Sequence, residues 1–217
     1  GMLLSGVPGV GAAEVVVIGG GVVGTNAARI AHGMGARVSV LDRSIPRLRH
    51  LDEAFGGAFA TRYASQAATE ELVSQADLVI GAVLVPGAAA PKLVSRAQLA
   101  GMKPGAAIVD VAIDQGGCFE TSRPTTHDDP VYVVDGIVHY CVANMPGAVA
   151  RTSTIGLGNA TLPFVLALAD KGWKRACAED ENLLNGLNVH AGKLTYGAVG
   201  QALGIEVAAP STLVSAA

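Results

Sequence analysis

Apolar positions run in uninterrupted blocks along this chain, and polar or glycine-rich breaks separate the blocks. Glu14-Val15-Val16-Val17-Ile18 is a β-branched run without alternation, the pattern of a parallel strand buried on both faces. Gly19-Gly20-Gly21-Val22-Val23-Gly24 follows at once, and Thr25 to Met34 carries small and apolar residues at helical spacing, with Gly33 and Gly35 ending the helix. Arg37 to Leu41 reads as a second strand that ends at Asp42, Pro46 to Phe55 as a helix with proline in its first turn, and Ala58 to Tyr63 as a third strand. Three strands and two helices in this order form one mononucleotide-binding half.

The second half repeats the alternation more loosely. Glu70 to Gln75 reads as helix, Ala76 to Val83 as strand, Val94 to Met102 as a short helix and Ala107 to Ala112 as another buried strand. Val131 to Val134 and Ile137 to Val142 flank Asp135-Gly136, a two-residue hairpin signal. After Pro146 the pattern turns helical, over Ala160 to Lys171, Asp180 to Asn185 and Lys193 to Leu203, and the tail from Val207 reads as frayed. The expected architecture is α/β: a Rossmann-type, doubly wound, mostly parallel sheet with helices on both faces, plus a helical C-terminal segment. The expected division is a dinucleotide-binding domain over residues 1–150 and a helical segment over 151–217.

Composition narrows this further. Half of the 217 residues are hydrophobic but only 4% are aromatic, and 28 are glycine, which suits close helix–sheet packing better than a β-sandwich. A net charge of −3, with no basic cluster longer than the mixed run Arg43 to Arg49, gives nucleic acid no broad field to bind. Cys118, Cys141 and Cys177 are odd in number and widely spaced, so they read as buried thiols rather than a disulfide framework or zinc site. The most apolar stretch is read as Leu78 to Pro91, too short and too rich in Pro and Gly to cross a bilayer. With no signal-peptide pattern at the start, the expectation is a soluble, cytoplasmic protein with no membrane or nucleic-acid partner. Gly1 ahead of Met2, and a run-up to a strand over Leu3 to Val10, read as a chain cut before its first full element.

The glycine loop is the first candidate for chemistry. Gly19, Gly21 and Gly24 follow a strand and open a helix, as a dinucleotide fingerprint requires. Gly19 permits the tight turn, Gly21 lets backbone approach a pyrophosphate, and Gly24 lets helix and strand pack closely. The amides opening the helix at Val22 and Val23 then face the phosphates. Asp42, at the end of the second strand, is placed to accept hydrogen bonds from the adenosine ribose and to repel a 2′-phosphate, which favours NAD over NADP. Arg43 and Arg47 stand nearby and keep a 2′-phosphate open. Later strand ends supply further candidates at Val83-Leu84, Val111 to Asp114 and Val142 to Met145. On the residues alone, Val83, Leu84 and Val142 read as plain core rather than as ligand contacts.

Several motifs together resemble alanine dehydrogenase over nearly the whole chain. They are Gly-Val-Pro-Gly-Val at Gly6 to Val10, Val-Val-Gly-Thr-Asn-Ala at Val22 to Ala27, the stretch Asp77 to Ala88, Met-Lys-Pro-Gly at Met102 to Gly105, Ile-Asp-Gln-Gly-Gly at Ile113 to Gly117, Ser-Arg-Pro-Thr-Thr at Ser122 to Thr126, and Tyr-Cys-Val-Ala-Asn-Met-Pro at Tyr140 to Pro146. The resemblance implies NAD-dependent oxidation of L-alanine to pyruvate and ammonium, and it assigns Asp114 to the substrate side as the catalytic carboxylate. It implies cofactor contacts at Gly19, Gly21, Val22, Val23, Gly24, Asp42, Arg47, Val83, Leu84, Val111, Ala112, Ile113, Asp114, Arg123, Val142, Ala143, Asn144 and Met145. Arg47 flanks the adenosine in this reading, and Asn144 lies near the carboxamide or substrate. One departure stands at Ala64, where the family usually has Ser; Ser65 is next.

The resemblance also implies that an Arg, a Lys and a His holding the substrate carboxylate and carbonyl belong to a separate N-terminal region that this chain does not include. The five histidines do not replace them: His32, His50 and His190 read as helix or helix-end surface residues, His139 as hairpin and His127 as loop. The segment after Arg151 would pack on the absent region, leaving apolar faces at Leu162 to Leu168 partly exposed or self-associating, and a homo-oligomer is expected. The alternatives are a stand-alone module that senses or sequesters NAD, and the NAD(H)-binding subunit of a transhydrogenase.

Overall fold

The computed structural model describes residues 1–84 and 90–215. Val85-Pro86-Gly87-Ala88, the end of one motif quoted above, lies outside them. The described residues form two compact units, one through Met145 and the other from Pro146 onward.

In the first unit, seven strands form one sheet: β1 (Glu14–Ile18), β2 (Arg37–Asp42), β3 (Ala60–Tyr63), β4 (Leu78–Gly81), β5 (Ala107–Asp110), β6 (Val131–Val134) and β7 (Ile137–Tyr140). Their order across the sheet is β3-β2-β1-β4-β5-β7-β6. All neighbours are parallel except the β6–β7 hairpin at the edge. Asp135 and Gly136 both take positive φ in that hairpin turn, the conformation the Asp-Gly pair favours. The strand order reverses between β1 and β4, the switch point where open α/β sheets leave a crevice.

The uninterrupted apolar strands divide between two cores. Val16 and Ile18 enter a cluster with Leu41, Val79, Ile108 and Phe119, while Val15 and Val17 enter another with Val38, Val40, Leu51 and Ile80. Each strand is therefore buried on both faces, which is why its sequence shows no alternation. Helices α1 (Val22–Gly33), α2 (Ile45–Phe55), α3 (Gln66–Gln75) and α4 (Arg96–Ala100) connect the strands. Ser44, Ser65 and Ser95 cap α2, α3 and α4 by accepting backbone N–H bonds. Compared with the sequence reading, α1 starts three residues earlier, α3 four residues earlier, and β5 stops at Asp110 because Val111 and Ala112 turn out of the strand.

In the second unit, α5 (Ala150–Glu179) is broken at Gly172, whose φ is 72°. It begins ten residues before the helix read from sequence. Helix α6 (Glu181–Asn185), the hairpin β8 (Val189–His190) and β9 (Lys193–Leu194), α7 (Gly197–Leu203) and α8 (Pro210–Ser215) follow. Three readings change here. Lys193 and Leu194 form a strand rather than the start of a helix. His190 sits on β8, its ring 4.2 Å from that of Trp173. The tail expected to fray contains α8. Leu162, Val165 and Leu166 are exposed, as the sequence predicts. The segment Met145–Glu179 is long and apolar enough, by length and composition, to cross a membrane.

Candidate cofactor site

The three fingerprint glycines are required for three different reasons. Gly19 takes φ +103°, and a Cβ there would lie 2.7 Å from the Ala82 carbonyl oxygen. Gly24 is helical, and its Cβ would lie only 1.8 Å from the Gly19 carbonyl oxygen, so α1 touches the loop through hydrogen alone. Gly21 is constrained by neither: its φ is −65° and nothing lies within 4 Å of a Cβ built there. It caps α1 with no side-chain hydrogen bond. The N–H groups of Val22, Val23 and Gly24 thus begin the helix without intrahelical partners beside open space. A helix start of this kind favours an anion, and the side chains of Val22 and Val23 are exposed.

Asp42 ends β2 beside this loop. Its Oδ2 accepts from the Gly20 N–H at 2.7 Å and its Oδ1 from the Ser44 N–H at 2.8 Å. The carboxylate therefore ties the glycine loop to the start of α2 while keeping lone pairs for further donors. Arg47 comes up from α2. Its Nε donates to the Gly20 carbonyl and its Nη2 to Thr25 Oγ1 at 2.7 Å. The guanidinium, expected to flank adenosine, here braces the loop from α2. A cavity of about 570 Å³ opens next to Asp42, lined by Ile18, Leu41, Arg43, Ala64, Thr69 and Val83 among others. Ala64 packs on the core, and Ser65 Oγ accepts from the Ala68 N–H as the cap of α3.

Beyond β4 and β5 the remaining candidates divide by exposure. Leu84 and Asp114 are exposed and Val83 is half-buried. Asp114 sits on the 3-10 turn Ile113–Gln115, past the C-terminal end of β5 and on the side of the sheet that carries the glycine loop. Ala112 and Ile113 are buried and Val111 half-buried, so the first two offer only backbone to a ligand. Val142 is 0% exposed; its side chain is core. Ala143 and Met145 are half-buried, and Asn144 is exposed with φ +59°, its carbonyl accepting from His127 Nε2 at 2.9 Å. Arg123 is exposed and lies 4.0 Å over the Tyr132 ring.

Sequence reasoning passed over one residue here. Asp110, the last residue of β5, is fully buried and accepts from the N–H groups of Ala112, Cys118 and Phe119 and from Ser122 Oγ. A carboxylate inside a run read as buried strand was the available signal, since buried charges are found with partners. His139 is also fully buried. Its Nδ1 donates to the Ile137 carbonyl at 2.9 Å, which leaves Nε2 to accept from Thr121 Oγ1 at 2.7 Å. Burial holds its pKa below the ordinary imidazole value, so it stays neutral and structural.

The model of the family "Alanine dehydrogenase/PNT, C-terminal domain" matches residues 1–197. An alanine dehydrogenase of Halomonas elongata is 65% identical over 99% of this chain and 58% of its own length. One of Mycobacterium tuberculosis is 56% identical over 99% of this chain and 58% of its own length. A solved L-alanine dehydrogenase superposes with a TM-score of 0.86 at 51% identity, covering 94% of this chain and 56% of that one. A transhydrogenase from Sinorhizobium meliloti gives 0.66 at 26% identity over 86% and 50%. The chain thus spans somewhat more than half the length of the curated relatives it matches, and it belongs to the alanine dehydrogenase/PNT C-terminal domain family.

Proposed function

We propose that this chain is the NAD-binding portion of an NAD-dependent alanine dehydrogenase, which converts L-alanine, NAD and water to pyruvate, ammonium and NADH. The observation that carries the reading is Gly21: neither φ nor packing calls for glycine there, a serine would cap α1 better, and a ligand approaching the start of α1 gives the missing side chain a purpose. When bound, NAD supplies the hydride acceptor. The chain's own residues bind and orient. The amides of Val22, Val23 and Gly24 meet the pyrophosphate, Asp42 accepts from the ribose hydroxyls, and the cavity beside Leu41 and Ala64 holds the adenine. Gly19, Val83, Leu84, Val111, Ala112, Ile113, Arg123, Val142, Ala143, Asn144 and Met145 complete the contact set, the buried ones through backbone. Arg47 contributes by fixing the Gly20 carbonyl.

Asp114, exposed past β5, orients the substrate ammonium or takes a proton from the water that attacks the imine. The groups that hold the substrate carboxylate and carbonyl belong to the part of the relatives' length that this chain does not span. We place residues 1–150 as the cofactor domain and 151–217 as a segment that packs on a substrate domain, in a soluble, cytoplasmic homo-oligomer without nucleic-acid or membrane partners. The much higher identity to alanine dehydrogenases than to the transhydrogenase favours this reading over an NAD(H)-binding transhydrogenase subunit.

The test is twofold. This chain is expected to bind NADH and to produce none from L-alanine and NAD on its own. Turnover by the chain alone would mean that its own residues hold the substrate. Absence of NADH binding would overturn the cofactor site. Tight NADH binding that a substrate domain fails to convert into turnover would favour a stand-alone sensing module.

A further inference from the structure

The loop over 111–119, which leads from β5 through Asp114, is gripped by opposite charges on its two sides. On the amide side is Asp110, whose carboxylate is fully buried. Its Oδ1 accepts from the Ala112 N–H at 3.1 Å, and its Oδ2 accepts from the Cys118 N–H at 2.8 Å, the Phe119 N–H at 3.3 Å and Ser122 Oγ. On the carbonyl side is Lys92. Its ammonium donates to the carbonyl oxygens of Gly116, Gly117 and Phe119, the last two at 3.0 and 3.2 Å. Gly116 and Gly117 both take positive φ, 91° and 78°, and a Cβ on Gly117 would lie 2.6 Å from Asp110 Oδ2. With two consecutive glycines at positive φ, a conformation costly for other residues, the carbonyls of Gly116 and Gly117 meet the Lys92 ammonium while the next amides, of Cys118 and Phe119, meet the Asp110 carboxylate.

We propose that Asp110 and Lys92 act as a charge clamp on the loop 111–119, and that this pair of positioning residues sets where Asp114 and the nicotinamide half of the cofactor meet. The inference rests on the cofactor reading above. Among the described residues, neither side chain hydrogen-bonds the glycine loop or Asp42. Asp110→Asn cannot substitute, because donors converge on both carboxylate oxygens. Whichever way the amide turns, its NH2 faces another donor.

The experiment compares the affinities of NADH and ADP-ribose, which lacks nicotinamide, in this 217-residue chain. NADH fluorescence is recorded in the same titrations. The parent is expected to bind NADH more tightly than ADP-ribose and to change its fluorescence. In Asp110→Asn, ADP-ribose affinity is expected to stay within about twofold, whereas the NADH preference falls by about tenfold, the scale of a lost charge-assisted hydrogen bond, and the fluorescence change disappears. Lys92→Met is expected to lose the same preference and Lys92→Arg to restore most of it. Lys92 also lines the cavity beside Asp42, so the Asp110 variant discriminates between the clamp and a direct adenosine contact.

A parallel loss of both affinities, or a lowered unfolding temperature with the preference intact, would overturn the clamp. So would a parent that binds the two ligands equally. A parent that binds neither would overturn the cofactor reading itself, a failure visible before any variant is made.

Discussion

At the scale of single residues, Asp42 illustrates how a binding group can double as a structural one. Both its oxygens already accept loop amides. Asp42→Ala is therefore expected to weaken NADH binding by about 1–3 kcal/mol, through lost ribose bonds and through a loosened loop; calorimetric titration of the variant checks this, and an unchanged affinity would refute the ribose role. Cys118 shows the opposite case, a reactive group kept inert. Burial, and then the neighbouring Asp110 charge, push its thiol up to about 11. A folded-state pKa raised above the ordinary thiol value contributes stability that is complete below that value and is lost as pH rises through about 11. Cys118 and Cys141, both fully buried, are expected to resist alkylation at neutral pH until the chain unfolds. Rapid labelling of the native protein, read by mass spectrometry, would contradict that burial.

At the scale of elements, the glycine loop makes a sharper claim than its sequence pattern does. Gly21 and Gly24 look alike in the motif, but the space around them differs entirely. Gly24→Ala is expected to destabilise the fold by about 1–3 kcal/mol or more, because its Cβ has nowhere to go. Gly21→Ser supplies a better helix cap, so its unfolding temperature is expected to hold or rise while NADH binding is lost. Thermal melts and titrations of the two variants separate these outcomes; a Gly21→Ser protein that binds normally would remove the ligand from the argument. The same contrast explains which elements could be read in advance. Strands β1, β2 and β5 announce themselves because two-sided burial removes every polar residue but Ser39 and the end positions. The β8–β9 hairpin does not, since Ala191 and Gly192 turn it with positive φ where a local signal would need Asn or Asp. Asp110 was hidden for a related reason: three of its four partners are backbone amides, which a sequence shows nowhere.

At the scale of the molecule, the two units are built unequally. The first buries two apolar clusters against its sheet. In the second, the buried residues among those described are Ala176, Cys177, Thr195 and Gly200, while α5 exposes Ile155, Leu157, Leu162, Val165 and Leu166. An apolar surface of this extent on a helix marks an interaction face, and its cost in water grows with the area left uncovered. It follows that this chain is expected to self-associate in solution through α5. Replacing Leu162 and Leu166 together by lysine removes two exposed apolar side chains from α5. The doubly substituted chain is expected to shift towards monomer in sedimentation and to keep its affinity for NADH, because the glycine loop, Asp42 and the cavity all belong to the first unit. If the parent is monomeric at high concentration, α5 is not a self-association face. If the substitutions abolish NADH binding while the chain stays folded, the second unit reaches into cofactor binding, and the division of labour argued from burial is wrong.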